Sequence, residues 1–180
     1  GDSIAEREVA RLVAHPGYDP EGGMQLENIR HDVALLELAS GIPAGVASPF
    51  RTDRPARSGA SVAVVSYAAG RSDALSRQRV CGVLGAHDGL MAFDCDVYFG
   101  SSGAPVFDRS ITPARIVAII SGGSRTDEGT ISFGMELPSL VTDLKHALRT
   151  GRGVQTSGAA GTPRLRGGAD HRAAGHFLRP

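Results

Sequence analysis

Tryptophan is absent from this chain, cysteine occurs twice, and aromatic residues make up only 5% of the sequence. No apolar run is long enough to span a bilayer as a helix, which removes a membrane helix from the expected organisation. Neither sign of charge dominates, since 19 lysines and arginines stand against 19 aspartates and glutamates. That balance gives no bias toward nucleic acid or an anionic membrane as partner. The opening residues do not read as a signal peptide, which says nothing about export. Two cysteines without histidines at matching spacing give little support for a metal site, and no metal or organic cofactor is expected. Glycine, by contrast, is abundant: 24 glycines with 10 prolines suit a turn-rich β protein.

The most informative stretch is Phe99-Gly100-Ser101-Ser102-Gly103-Ala104-Pro105-Val106-Phe107, which sets a serine between glycines in a segment that otherwise reads as strand. A serine hydroxyl is unreactive at its free pKa. It needs a neighbouring base and backbone N–H groups aimed at the oxyanion of the tetrahedral intermediate. Glycine lets the backbone take the turn that points those donors inward. Gly-Ser-Ser-Gly also occurs in flexible linkers, but a linker has no reason to carry Val97, Tyr98 and Phe99 before it and Pro105, Val106 and Phe107 after it. The run resembles the Gly-x-Ser-Gly-x-Pro block of the trypsin-like (chymotrypsin-fold) serine endopeptidases, more closely the bacterial glutamyl-endopeptidase-like branch. The resemblance implies Ser102 as nucleophile and the N–H groups of Gly100 and Ser102 as oxyanion hole.

Two further segments support the same frame. His31-Asp32-Val33-Ala34-Leu35-Leu36-Glu37-Leu38 is similar to the strand that carries the family's triad aspartate, and Ala14-His15-Pro16-Gly17-Tyr18 is similar to the turn before it. Asp32 would then accept the imidazole Nδ1–H and stabilise the imidazolium. Taken alone, Asp32 reads as an exposed acid at the start of a buried strand. Ala114 to Gly123 is a strand ending in Ser121-Gly122-Gly123, which the resemblance makes the edge that pairs with a peptide substrate.

The resemblance also carries departures. Asp96 falls six residues before Ser102, where trypsin-like enzymes keep the carboxylate that recognises arginine or lysine, but the cysteine pattern around it differs. Ser101 stands where the animal digestive enzymes have the aspartate that pairs with a new N-terminal ammonium, so that switch is not expected. Cys81 and Cys95, 14 residues apart around Ala86-His87-Asp88-Gly89, read as two strands joined by a tight turn, and a cross-strand bridge is expected. Such a bridge would imply a periplasmic or extracellular setting.

The family's catalytic histidine block, several tens of residues before the aspartate, has no counterpart here. Only His15 and His31 precede Asp32; His31 would point to the opposite face of a strand, and His15 sits in a Pro-Gly turn. His87, His146, His171 and His176 follow the aspartate and read as surface or loop residues. The expectation is a serine endopeptidase fragment without its base, inactive alone, acting on peptide or protein substrates in its complete form and monomeric. The alternative is a non-catalytic protease-like domain that binds peptide or protein partners. Gly1-Asp2-Ser3-Ile4 superficially resembles an esterase block, but the later helix-strand alternation of an α/β hydrolase is absent.

The expected fold is all-β: two six-stranded antiparallel barrels of chymotrypsin type, the first incomplete, with a C-terminal helix. Residues 1–40 are read as the remainder of the first barrel, with strands over Ile4–Ala14 and Asp32–Leu38. Residues 41–60 are the crossover and 61–136 the second barrel, with strands over Ser61–Tyr67, Arg79–Leu84, Gly89–Phe93, Ala104–Phe107, Arg115–Ser121 and Thr130–Met135. Over 137–150, Leu140, Val141, Leu144, Ala147 and Leu148 recur at helical spacing between Pro138 and Gly151. Residues 151–180 carry five arginines against one aspartate and few bulky apolar groups, the composition of a disordered tail.

Overall fold

A computed structural model describes residues 3–53, 57–67, 74–127 and 129–156, and the backbone of 177–178. β1 (Val9–Ala14), a short helix α1 (Leu26–His31) and β2 (Ala34–Leu38) come first. Then follow β3 (Ser61–Ser66), β4 (Ser76–His87), β5 (Leu90–Phe93), β6 (Pro105–Asp108), β7 (Arg115–Thr126) and β8 (Gly129–Glu136). The helix α2 (Pro138–Thr150) and two short strands, β9 (Gln155–Thr156) and β10 (Phe177–Leu178), complete the order.

Strands β3 to β8 close into an antiparallel barrel in the order β7-β6-β3-β4-β5-β8, with β8 returning to β7. Closure gives every strand two neighbours, but β6 pairs with β7 only as far as Ile119, so the far end of β7 keeps an edge on that side. Period-two alternation fills the interior: Val62 and Val64 of β3, Met91 and Phe93 of β5, Val106 of β6 and Ala118 and Ile120 of β7 belong to one buried cluster. At the β7–β8 seam a Cβ on Gly134 would stand 2.2 Å from the Ile119 carbonyl oxygen, so the seam requires glycine.

Cys81 and Cys95 are disulfide-bonded within this cluster, joining β4 to the segment that follows β5 and leads to Ser102. Closing a loop of 14 residues restricts the unfolded chain and contributes about 3 kcal/mol. The Cys81→Ala/Cys95→Ala double variant should therefore lose about 3 kcal/mol in urea unfolding. A midpoint equal to that of the parent protein would show that barrel packing alone holds this segment.

The second cluster forms outside the barrel, where Val13, Val33, Met135, Leu137, Leu144 and Leu148 pack together. α2 occupies the expected residues: Pro138 lies in its first turn, and Gly151 ends it in the left-handed conformation at φ 76°. Leu144 and Leu148 are its buried residues, and the Arg11 guanidinium caps the Leu148 carbonyl at 3.0 Å. Ile119 of β7 faces this cluster while its neighbours Ala118 and Ile120 face the barrel.

In place of a first barrel there is a three-stranded sheet, β2-β1-β9. Val13 and Leu35, cross-strand partners, turn toward α2, whereas Leu36, 57% exposed, lies on the opposite face. The crossover is tied to β7 by two backbone bonds, Asp53 N–H to Ile116 O at 3.0 Å and Ile116 N–H to Arg51 O at 2.9 Å, and by an Asp53–Arg115 ion pair.

Several boundaries differ from the sequence reading. The first strand begins at Val9, and Ile4 is 74% exposed. β2 begins at Ala34 and not at Asp32, because Leu26–His31 forms the unanticipated helix α1, with Asp32 as its C-cap. This helix is six residues long with one buried side chain, Ile29, too short to show an apolar period. Its Glu27–Arg30 pair at 2.7 Å adds local support. Within 151–180, Gln155–Thr156 pairs with β1, and Phe177–Leu178 pairs parallel to β7. The rest of that segment lies outside the described residues. Among the described residues no helix is long and apolar enough to cross a membrane.

Candidate active site

Ser102 lies on the loop between β5 and β6, which is pinned at both ends. Ser101 N–H donates to Tyr98 O at 2.9 Å, Ala104 N–H to Ser101 O at 3.0 Å, and Gly103 N–H to Ile120 O at 2.7 Å. Gly100 and Gly103 have φ of 87° and 79°, conformations costly for a residue bearing a Cβ. The resulting turn exposes Ser102 and buries its neighbour Ser101, which is 1% exposed. Ser101 Oγ donates to Ser66 Oγ at 3.2 Å and accepts the Tyr98 N–H at 3.3 Å. A neutral hydroxyl network thus supports the loop from within. Neither the Gly100 nor the Ser102 N–H forms a backbone hydrogen bond to another of the described residues.

Ser121 connects this loop to Asp32. Ser102 Oγ donates to the Ser121 carbonyl at 3.1 Å, and Ser121 Oγ donates to Asp32 Oδ2 at 2.6 Å. The second bond crosses from β7 of the closed barrel to the C-cap of α1, joining residues 89 apart in sequence. Tyr18 also faces this carboxylate: burial first, then the charges of Asp32 and Asp19, raise its phenol pKa above the usual value of 10.0. The sequence reading placed Ser121 at the substrate edge and missed its hydroxyl bond to Asp32. No local pattern announces a contact made between a barrel strand and a distant helix end.

The other expected residues surround this centre. Gly123 and Ser124 on the β7 edge pair with the backbone of Phe177–Leu178 as an added parallel strand. Asp96 is not enclosed: its side chain is 75% exposed and lies 3.7 Å from Arg125, while Thr130 Oγ1 donates to it at 3.3 Å. Arg125 also stacks over the Tyr98 ring at 5.2 Å. Behind the loop, a cavity of about 730 Å³ is lined by Ser66, Arg77, Gln78, Asp96, Ser101 and Arg125 among others. On the side of Gly100 and Ser102, a cleft of about 370 Å³ includes Tyr67 and Pro105.

No histidine hydrogen-bonds to Ser102 or Asp32 among the described residues. His15 and His31 stack on each other, and His87 and His146 are exposed. His171 and His176 lie outside the described residues. Nor do described His, Cys, Asp and Glu side chains gather into a group able to hold a metal ion.

Residues 4–119 match the family pattern described as the trypsin-like peptidase domain. The chain belongs to this family. Solved structures agree on the fold. A Glu endopeptidase in complex with MPD superposes with a TM-score of 0.62 at 15% identity, over 82% of this chain and 66% of the other. Kallikrein-related peptidase 10 gives 0.56 at 16% identity, over 80% and 73%. This trypsin-like domain thus spans just under two thirds of that Glu endopeptidase. Comparison with curated proteins gives no match.

Proposed function

We propose that this chain is part of a serine endopeptidase and supplies its nucleophile, Ser102, its orienting carboxylate, Asp32, and an oxyanion hole from the Gly100 and Ser102 N–H groups. The observation that carries this reading is that Ser121 binds both partners, its carbonyl accepting Ser102 Oγ–H at 3.1 Å and its hydroxyl donating to Asp32 at 2.6 Å, which brings the Ser102 loop and the end of α1 to one residue of β7. A histidine from outside the described residues would take the Ser102 proton. The hydroxyl would attack the scissile carbonyl, the leaving amine would take the proton from the imidazolium, and water would release the acyl-enzyme. The β7 edge at Gly123, which holds a two-residue strand, would accept the substrate backbone. The disulfide favours the periplasm or the cell exterior as the setting.

A second reading, a non-catalytic domain that binds peptides at this edge, draws support from the Ser102 hydroxyl donating to a carbonyl instead of a base. A fluorophosphonate probe applied to the protein isolated from its source separates the two. Covalent mass on the Ser102 peptide supports the enzyme, and a folded protein that stays unlabelled supports the binding module.

Substrate charge selection is assigned to Asp96. Because Arg125 lies 3.7 Å away, a cationic side chain before the scissile bond must displace it. Removing an exposed ion-pair partner is worth up to about 1 kcal/mol, or roughly fivefold. Peptide-library profiling should therefore show Arg125→Ala gaining up to about fivefold in preference for lysine and arginine, and Asp96→Ser losing that preference. A profile that is the same in Asp96→Ser would remove the assignment.

A further inference from the structure

We propose that His15 and His31 form a proton-sensitive positioning pair for Asp32: while stacked, they hold the Asp32 segment against Ser121, and a proton on His15 loosens it. The proposal rests on the reading of Asp32 as the orienting carboxylate. It concerns two histidines that the proposed reaction leaves unused.

The imidazoles lie face to face, their centroids 4.4 Å apart and their planes 4° from parallel. Gly17 closes on the same ring: a Cβ there would stand 2.9 Å from His31 Nδ1. The backbone on either side of Asp32 is bound into this arrangement. His15 N–H donates to Val33 O at 2.9 Å, and Val33 N–H donates to His31 O at 2.7 Å. Asp32 therefore sits between two residues whose backbones are bonded into this arrangement, and its Oδ2 accepts the Ser121 Oγ–H at 2.6 Å.

Protonation state decides whether the stack is stable. His15 Nδ1 accepts the Gly17 N–H at 3.1 Å, which leaves the proton of the neutral ring on Nε2. A second proton would have to enter at Nδ1, where it would face another donor and break that bond. His31 Nδ1 is buried with no hydrogen-bond partner among the described residues, and its nearest carboxylate oxygen is Glu27 Oε1 at 3.7 Å. The charged groups facing the pair are Glu27 from α1, which lies 3.7 Å from His31 and also pairs with Arg30 at 2.7 Å, and Asp143 from α2, while Asp32 and the neutral phenol of Tyr18 lie on the adjoining segments. Arg30 reaches Asp88 at 3.3 Å as well.

The sign follows from His15. Burial, and then repulsion from His31, lower its pKa below the usual 6.5, while Asp143 opposes them. The held state therefore binds fewer protons than the open one. Its advantage is complete above pH 6.5 and declines as the pH falls below that value.

Hydrogen exchange at the Val33 and His15 amides, corrected for the intrinsic rate, tests the inference in the full chain. Opening should increase by up to about tenfold between roughly pH 7.5 and 5.5, the limit for one imidazole of ordinary pKa excluded from the held state. His15→Phe keeps a ring for stacking but cannot charge, so its exchange should be flat across that range. His15→Ala should exchange fast at every pH. If wild type and His15→Phe share one profile, or if wild type shows no acid-dependent opening, the proposal is overturned. Should His15→Phe fail to fold, imidazole titration by NMR decides: His15 titrating at or above the ordinary value would overturn the proposal. The exchange profile does not depend on catalysis, so a pH-dependent latch in a protein that no fluorophosphonate labels would sink the enzyme reading and leave the latch standing.

Discussion

Ser102→Ala should abolish fluorophosphonate labelling and peptide hydrolysis in protein that carries its histidine, a loss on the order of a millionfold in turnover. Of the two hydroxyls on this turn, Ser101's is buried in its own bonds and Ser102's is exposed to an acyl group, and replacing it leaves the Gly100 and Ser102 N–H groups in place. What survives is the contribution of the oxyanion hole and substrate binding, about a thousandfold over water. The described residues place no histidine at Ser102, so the recombinant chain should label only slowly, at that residual level. Imidazole added to the solution should accelerate labelling of wild type and leave Ser102→Ala unlabelled. Efficient labelling of the chain as it stands, lost in His15→Ala, would make His15 the base and overturn both the external-histidine reading and the latch.

The closed barrel was legible in the sequence because its strands alternate and its turns carry Gly and Asp, and because α2 announces itself through Pro138, Gly151 and the apolar spacing between them. The Ser102 turn was legible for a different reason: serines set between glycines inside an apolar, strand-like run read as a tight turn. The segment before β2 was not. α1 buries one side chain, Ile29, and owes its position to packing against the barrel, so nothing in its residues outweighs the strand-like run that follows. The same limit hid the Ser121–Asp32 bond and the His15–His31 stack. Each joins residues whose proximity is set by how the end of α1 docks against β7 and against the turn after β1, and a one-dimensional pattern does not encode that docking.

Asp96 shows the converse. Its spacing from Ser102 is that of a pocket carboxylate, yet the structure gives it 75% exposure and Arg125 as a neighbour. Spacing along the chain fixes how far the residue lies from Ser102 in sequence. It does not enclose it, because enclosure depends on elements that pack from elsewhere.

Asp32→Asn should cost about 10⁴-fold in kcat/KM in protein that carries its histidine. The amide keeps the size of the carboxylate, and its carbonyl oxygen can still accept the Ser121 hydroxyl, now found at 2.6 Å from Asp32 Oδ2. What it cannot do is stabilise an imidazolium, and its N–H₂ would favour the wrong imidazole tautomer. Ser121→Ala separates positioning from charge: it leaves Asp32 ionised but removes one hydrogen bond to it, worth about 1.5–3 kcal/mol. That variant should therefore lose about ten- to a hundredfold, well short of Asp32→Asn, and its loss should fall mainly on kcat. Steady-state kinetics of the three proteins at one pH above 7 give the comparison. Asp32→Asn within tenfold of wild type would remove Asp32 from the catalytic group, and Ser121→Ala as damaging as Asp32→Asn would mean that position, not charge, is what the carboxylate contributes.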